Sequence, residues 1–111
     1  MDSINEARRS TAQYFLEGLT EIGCDYIFCN FGTDHAPIIE AMAAFKRDGR
    51  KAPKTVICPH EITAAHMAAG YFLATGRGQG VMVHVDSGTA NSAMALHNIC
   101  RARIPVLLMA G

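Results

Sequence analysis

The chain has 111 residues, of which 50% are hydrophobic and 18% are charged, and its ten basic and ten acidic side chains leave no formal net charge. This length fits one globular domain, and the apolar fraction excludes a disordered chain. The balanced charge, without a run of Lys or Arg, argues against a nucleic-acid-binding or polybasic membrane-binding surface.

Membrane insertion and secretion are also disfavoured by the sequence. No segment approaches the roughly 18 uninterrupted apolar residues of a membrane span. Residues 1–10 are charged and lack the apolar core of a secretory signal. We therefore expect a cytoplasmic protein.

Hydrophobic periodicity predicts helices and strands in alternation. Apolar residues at three- and four-residue steps predict a first helix over residues 3–22 that ends at Gly23. A second helix, capped by Asp34, is predicted to end near residues 48–49. Two more helices are predicted over residues 60–75 and 90–101. Short apolar runs predict four strands, over residues 25–31, 54–58, 80–85 and 104–110.

This alternation indicates an α/β fold, a parallel sheet with helices on both faces. Ligands of such sheets bind beyond the carboxyl ends of the strands. The informative positions are therefore residues 32–35, 59–61 and 86–91, and Gly111. The last strand is strongly apolar and would normally be followed by a further crossover, so we expect residues 1–111 to form a single, C-terminally incomplete domain.

The cysteines and histidines do not predict a metal site. The four cysteines have apolar neighbours and form no C-x-x-C pair, which favours buried, reduced thiols over a disulfide framework or a zinc site. They are Cys24, Cys29, Cys58 and Cys100. His60 and Glu61 look like the start of H-E-x-x-H, but Ala64 stands where the second histidine is required.

Glu61 is predicted in the first turn of the helix that follows the second strand. One interpretation is a capping charge, since the helix dipole stabilises a carboxylate there. The other is a ligand contact, because the small side chains that follow it would let a second subunit or a flat ligand approach closely. They include Ala64, Ala65, Ala68 and Ala69. The carboxylate could then accept a hydrogen bond from a heterocycle.

A polar segment follows the third strand. Residues 86–89 are predicted to form a strand-to-helix loop, and residues 87–91 could hold an anion or a ring heteroatom, or simply cap the next helix. His84 and Asp86 are predicted on one face of the strand, either as interior polar groups or as a catalytic dyad.

Three segments follow one another along the chain: PHEITAAHMAAGYFLATGRG (residues 59–78), VDSGTAN (residues 85–91) and RIPVLLMAG (residues 103–111). Together they resemble the pyrimidine-binding N-terminal domain of thiamine diphosphate-dependent enzymes of the acetolactate synthase type. The likeness spans nearly the whole chain, in the family's order, beginning with the opening helix and YIFCNFG.

The resemblance implies roles for individual residues. Glu61 would hydrogen-bond N1′ of the cofactor's aminopyrimidine, favouring the imino tautomer whose 4′ nitrogen removes the proton from the thiazolium C2. The remaining residues of the cofactor pocket would be Gly32, Ser87, Gly88, Thr89 and Asn91.

The resemblance also implies an activity and a partner. The chain would be the pyrimidine-binding half of a 2-oxo-acid decarboxylase or carboligase. The family binds the diphosphate through Mg²⁺ on a separate domain with a Gly-Asp-Gly motif, which these 111 residues lack. We therefore expect no activity from the chain alone, and catalysis in a homo- or hetero-oligomer that supplies the diphosphate-binding domain.

The loop after the first strand departs from the family's F-G-x-P-G pattern and is shorter. Asp34 or His35 could supply a replacement acid or base there, or serve as a helix cap and a surface histidine. Two other functions remain open. One is a non-catalytic fragment or regulatory module that assembles with a full-length relative through its Ala-rich helix. The other is an unrelated Rossmann-like small-molecule binder.

Overall fold

The structure is a computed structural model that describes residues 8–111. Helices and strands alternate along this part of the chain. The helices are α1 (Thr11–Glu21), α2 (Ala36–Arg47), α3 (Glu61–Thr75) and α4 (Val85–Arg101). The strands are β1 (Tyr26–Cys29), β2 (Lys54–Ile57), β3 (Gln79–Val83) and β4 (Val106–Ala110), and a short 3₁₀ turn, Thr33–His35, precedes α2.

The four strands form one parallel sheet in the order β2-β1-β3-β4. In its register, Cys29 of β1 stands opposite Ile57 of β2 and Met82 of β3. Each parallel neighbour is reached through a helical crossover, which confirms the predicted α/β fold. The carboxyl ends of β1, β2 and β3 consequently meet at one edge of the sheet.

Helices cover both faces of the sheet, as predicted. One face packs against α3 and α4 through a cluster that includes Phe28, Ala65, Val81 and Ile99. The other face packs against α1 and α2 through Leu19, Ile27, Met82 and their neighbours. Small alanines on α3 are fully buried, so α3 lies close to the sheet and its first residue is held near the strand ends.

Some predicted boundaries were wrong. Residues 3–7 of the predicted first helix lie outside the described residues, and α1 begins only at Thr11, because the Ser10 side chain caps it in a capping box with Gln13. Asp34 does not cap α2: it lies inside the 3₁₀ turn, and His35 is the N-cap residue. The predicted helix end at Gly76 is confirmed, since this residue adopts the left-handed conformation at φ 73°.

The described residues contain no helix long and apolar enough to cross a membrane. Three of the cysteines are buried, as predicted, but Cys100 is exposed near the end of α4. The prediction of a buried thiol was wrong there because Cys100 lies on the outer face of that helix, away from the sheet.

Candidate functional site

Glu61 opens α3, directly after the carboxyl end of β2. His60 is the N-cap residue of this helix, and its Nδ1 accepts a hydrogen bond of 3.1 Å from the backbone N–H of Ile62. The helix N-terminus favours a negative charge at Glu61. Only 5% of this residue is exposed, yet its neighbour His60 lies at the surface. The carboxylate therefore lies just below the edge of the sheet.

Two asparagines hold the Glu61 carboxylate, one at each oxygen. Asn30 Nδ2, which follows β1, donates to Oε1 at 3.1 Å, and Asn91 Nδ2 of α4 donates to Oε2 at 3.3 Å. Asn30 follows β1, Glu61 opens the helix after β2, and Asn91 lies within the helix after β3. Asn91 was predicted in the pocket, whereas Asn30 was missed. The available signal was a polar residue directly after an apolar strand.

These contacts keep Glu61 ionised at neutral pH. Burial raises the pKa of the Glu61 carboxyl, but its own backbone N–H, Asn91, Asn30 and the nearby His60 together outweigh burial and lower the pKa below its usual range. A carboxylate has about four acceptor positions, so the two asparagines leave acceptor capacity free for an N–H group of a ligand.

Gly88 lies against this carboxylate. A methyl group built at position 88 would stand 3.2 Å from Glu61 Oε1 and 3.1 Å from Val83 Cβ. Gly88 is in the first turns of α4, which begins at Val85 rather than at residue 90. The predicted loop over residues 86–89 was therefore wrong. The chain enters α4 straight from β3 through Val85 at φ 35°, a strained conformation for a β-branched residue.

The hydroxyl groups predicted near the pocket point back to their own helix. Thr89 Oγ1 donates to the Val85 carbonyl at 2.6 Å, and Ser87 Oγ donates to the His84 carbonyl at 3.4 Å. Of the six residues predicted for the cofactor pocket, the structure brings Glu61, Gly88 and Asn91 into contact. Ser87 and Thr89 lie on the same turn of α4, beside this group.

A second polar cluster lies where β1 and β3 end. His84 Nδ1 lies 2.5 Å from Asp34 Oδ1. The prediction that His84 and Asp86 share one face of a strand was wrong, because Asp86 lies in α4, is exposed and accepts from the Ser87 N–H at 2.8 Å. Gly32 packs against the His84 ring so closely that a side chain there would overlap it.

The same cluster includes His35, which is 3% exposed and not the surface residue considered from the sequence. Its Nδ1 accepts from the Gly32 N–H at 3.0 Å. Two buried atoms, His35 Nε2 and Asp34 Oδ2, have no hydrogen-bond partner among residues 8–111. Both residues line a groove of about 460 Å³ with Met82, Met109 and other apolar residues. Burial raises the pKa of Asp34, but the His84 bond, its own backbone and the two histidines lower it overall.

Among residues 8–111, no group of three or more His, Cys, Asp or Glu side chains could hold a metal ion. The predicted fit to an aminopyrimidine rests on different features: an ionised acceptor, two amides that fix it, and a space at Gly88 that any side chain would fill. These features suit a flat nitrogen heterocycle approaching Glu61 from the sheet edge.

Comparisons with known proteins identify the family to which the chain belongs. Residues 9–111 match the family described as "Thiamine pyrophosphate enzyme, N-terminal TPP binding domain". A curated relative from Mycobacterium tuberculosis, "Putative acetolactate synthase large subunit IlvX", is 31% identical over 100 residues. That alignment covers 90% of this chain and 18% of the relative.

Two solved structures share the fold. Benzoylformate decarboxylase from Polynucleobacter necessarius superposes with a TM-score of 0.73 at 17% identity, covering 93% of this chain and 18% of that one. A "putative thiamin diphosphate-dependent enzyme" from Mycobacterium smegmatis gives a TM-score of 0.69 at 27% identity, covering 93% and 19%. The chain thus spans about a fifth of the length of these relatives.

Proposed function

Because this chain belongs to the thiamine pyrophosphate enzymes, as an N-terminal TPP-binding domain of the acetolactate synthase-like type, we propose that it forms the pyrimidine-binding half of a 2-oxo-acid decarboxylase or carboligase. Thiamine pyrophosphate, or thiamine diphosphate, is the cofactor of this family. The domain would be residues 1–111, and the remainder of the active site would come from a diphosphate-binding domain, in the same polypeptide or in a second subunit.

The observation that carries this proposal is the set of contacts around Glu61. Its carboxylate is ionised and oriented by Asn30 and Asn91, and Gly88 adds no side chain that would crowd Oε1. An N–H group of a ring placed there would find an acceptor already desolvated and fixed, which strengthens a hydrogen bond.

When bound, the cofactor supplies a carbanion at its thiazolium ring and an electron sink for the carbon dioxide-releasing step. The contribution of Glu61 would be to bind the aminopyrimidine and hold a proton at its N1′. Asn30 and Asn91 would keep the carboxylate in position, so that little reorganisation accompanies proton movement. Gly32, Ser87 and Thr89 would border the pocket entrance.

Mg²⁺ and the diphosphate would be held outside this chain, since its described residues contain no metal cluster and its sequence has no Gly-Asp-Gly. The carboxyl ends of the strands, where Glu61 lies, would face that partner domain. A 2-oxo acid would then enter between the two, next to the cofactor, in an assembly of at least two such domains.

The test is a turnover assay with the chain, a diphosphate-binding partner domain, Mg²⁺, thiamine diphosphate and a panel of 2-oxo acids. We expect Glu61→Gln to weaken cofactor binding and to reduce decarboxylation by at least about 100-fold, the usual contribution of a positioned acid–base group. Glu40→Gln, an exposed carboxylate of α2, is the matched control. Undiminished turnover of Glu61→Gln would overturn the proposal, and cofactor binding without turnover would instead favour the non-catalytic module.

A further inference from the structure

A cavity lies at the opposite edge of the sheet from Glu61, where β1 and β2 begin. This amino-edge cavity has a volume of about 340 Å³, which lies in the range of small-molecule sites. Its lining includes Asp25 and Tyr26 at the start of β1, Lys51 and Lys54 at the start of β2, and Tyr71 on α3. The four residues of β1, about 10 Å from first to last, separate the amino-edge cavity from the proposed cofactor pocket.

The acidic side of the cavity is fixed in place and its charge is balanced. Arg77 Nη1 lies 2.7 Å from Asp25 Oδ2, and the Tyr71 hydroxyl donates to the same oxygen at 3.1 Å. Behind this wall, Gln79 Oε1 accepts from the backbone N–H groups of Asp25 and Tyr26. The other oxygen, Asp25 Oδ1, makes no hydrogen bond within residues 8–111 and is left as an acceptor.

The basic side of the cavity has no such balance. Lys51 and Lys54 are exposed, and neither forms an ion pair within residues 8–111. The carboxylate of Asp25, the acid that lines the cavity, is already paired with Arg77. Two uncompensated ammonium groups attract an anion. A phosphate monoester, with a charge of about −2 at neutral pH, matches them better than a singly charged carboxylate does.

The remaining wall of the cavity is aromatic. The rings of Tyr26 and Tyr71 have centroids 5.4 Å apart and planes inclined at 56°. Lys54 stands opposite Tyr26 in the strand register and therefore shares its face of the sheet. Both tyrosines also line an adjoining apolar groove of about 370 Å³, together with Phe28 and Met67. A flat ring that enters here packs against the tyrosines while its charged group stays beside the lysines.

We propose that the amino-edge cavity binds a small aromatic or heteroaromatic phosphate monoester. The phosphate binds Lys51 and Lys54, and the ring packs against the two tyrosines of the wall. A hydrogen-bond donor on the ring finds its acceptor in Asp25 Oδ1. The inference does not depend on the proposed function, because the cavity shares no residue with the pocket around Glu61.

Phenyl phosphate is the probe, and the tyrosine rings of the full chain report where it binds. The chain has three tyrosines, and the third, Tyr14, is 58% exposed on α1. In NMR titrations, phenyl phosphate should shift the ring resonances of Tyr26 and Tyr71 saturably and leave Tyr14 unmoved. Glu61→Gln should bind the probe as tightly as the natural chain does, whereas failure of the proposed function shows as cofactor binding that is insensitive to Glu61→Gln.

The lysines provide the test of charge. Lys51→Ala and Lys54→Ala should each weaken binding of phenyl phosphate several-fold, and the double variant should weaken it about tenfold or more, because each substitution removes one charge from the phosphate contact. Lys46→Ala, an exposed lysine of α2 outside the lining, is the matched control and should change nothing. The proposal is overturned if the double variant binds as the natural chain does, or if Tyr14 shifts as much as Tyr26.

Three further ligands test the chemical class. Inorganic phosphate lacks the ring and benzoate lacks the second negative charge, so both should bind more weakly than phenyl phosphate. Equal affinity for either of them would overturn the proposal. A short phosphotyrosine peptide presents the same head group on a polypeptide, and tighter binding of this peptide would overturn the assignment to a small molecule.

Discussion

Gly88 and Glu61 lie so close together that a methyl group at position 88 would stand 3.2 Å from Oε1 of the glutamate. This close approach lies between the first turns of α3 and α4, where any residue larger than glycine would crowd both Val83 and the carboxylate. Two helices thereby approach closely around one charged group.

Replacing Gly88 with alanine should show this constraint. Alanine in place of glycine ordinarily stabilises a helix by about 0.5–1 kcal/mol. At position 88 the new methyl group stands 3.1–3.2 Å from Val83 and Glu61, so we expect that gain to be offset and cofactor binding to weaken. Gly70→Ala in α3 is the matched control, since a methyl group there would meet nothing within 4 Å in the described part of the chain beyond its neighbours and its own helix backbone. Urea unfolding measures the unfolding free energy of both variants. Equal stabilisation by the two substitutions would contradict the prediction.

The two asparagines should set the acidity of Glu61. Removing either donor, in Asn30→Ala or Asn91→Ala, should raise the Glu61 pKa, because each stabilises the ionised form. A ¹³C NMR titration of the Glu61 side-chain carboxyl measures this pKa in each variant. Asn98→Ala, on α4 but bonded to His66 rather than Glu61, should leave the titration unchanged.

The lowered pKa of Glu61 also predicts how the stability of the fold depends on pH. The folded pKa of Glu61 is depressed, so its stabilising contribution is present above the pKa of the unfolded chain and is lost as the pH falls through the lower, folded pKa. Glu61→Gln should therefore flatten the decline in unfolding free energy in this acidic range. An identical pH profile for the natural chain and the variant would count against the hydrogen-bonded carboxylate.

Gln79 should be a stability determinant far from the site. It is 1% exposed, and its Oε1 accepts from the backbone N–H groups of Asp25 and Tyr26, each at 2.8 Å. Truncation in Gln79→Ala leaves buried donors unpaired, at a cost of about 1–3 kcal/mol each. The unfolding free energy should fall accordingly, whereas exposed Lys54→Ala on β2 should change it by less than about 0.5 kcal/mol.

The cysteines should differ sharply in reactivity. Burial raises the pKa of Cys29 to about 12 and also raises the pKa values of Cys24 and Cys58, whereas Cys100 is exposed. An aromatic disulfide reagent should therefore modify one thiol quickly in the native chain and all four in denaturant. Cys100→Ser should abolish the fast phase, and rapid modification of two or more thiols would show that the core is open.

Much of the fold could be predicted because local patterns determine it. The period of apolar residues identified all four strands and four helices. Because the carboxyl ends of parallel strands meet at one edge, the position of Glu61 after β2 also placed it at that edge. The start of α4 could not be predicted in this way. Its first turn contains Asp86, Ser87 and Gly88, which ordinarily favour a loop, and yet all three are helical in the structure.

The contacts that define the site are long-range, and no periodicity encodes them. Asn30 and Glu61 are 31 positions apart, and Asp34 and His84 are 50 apart. From the sequence, Asp34 and His35 were either a replacement acid or base or a helix cap and a surface histidine, and His84 was placed on one strand face with its near neighbour Asp86. Only the order of the strands, with β1 beside both β2 and β3, shows that the turn after β1 contacts the end of β3.

The parallel register of the sheet fixes the distance between Asn30 and the Glu61 carboxylate. With Cys29 fixed opposite Ile57 and Met82, the residue after β1 falls within reach of the one that opens α3. Sliding β1 by a single residue would move Asn30 by about 3.3 Å, more than a hydrogen bond tolerates. The hydrogen bond that orients Glu61 therefore forms only when β1 pairs with β2 in this register, so assembly of the sheet and preparation of the carboxylate are one event.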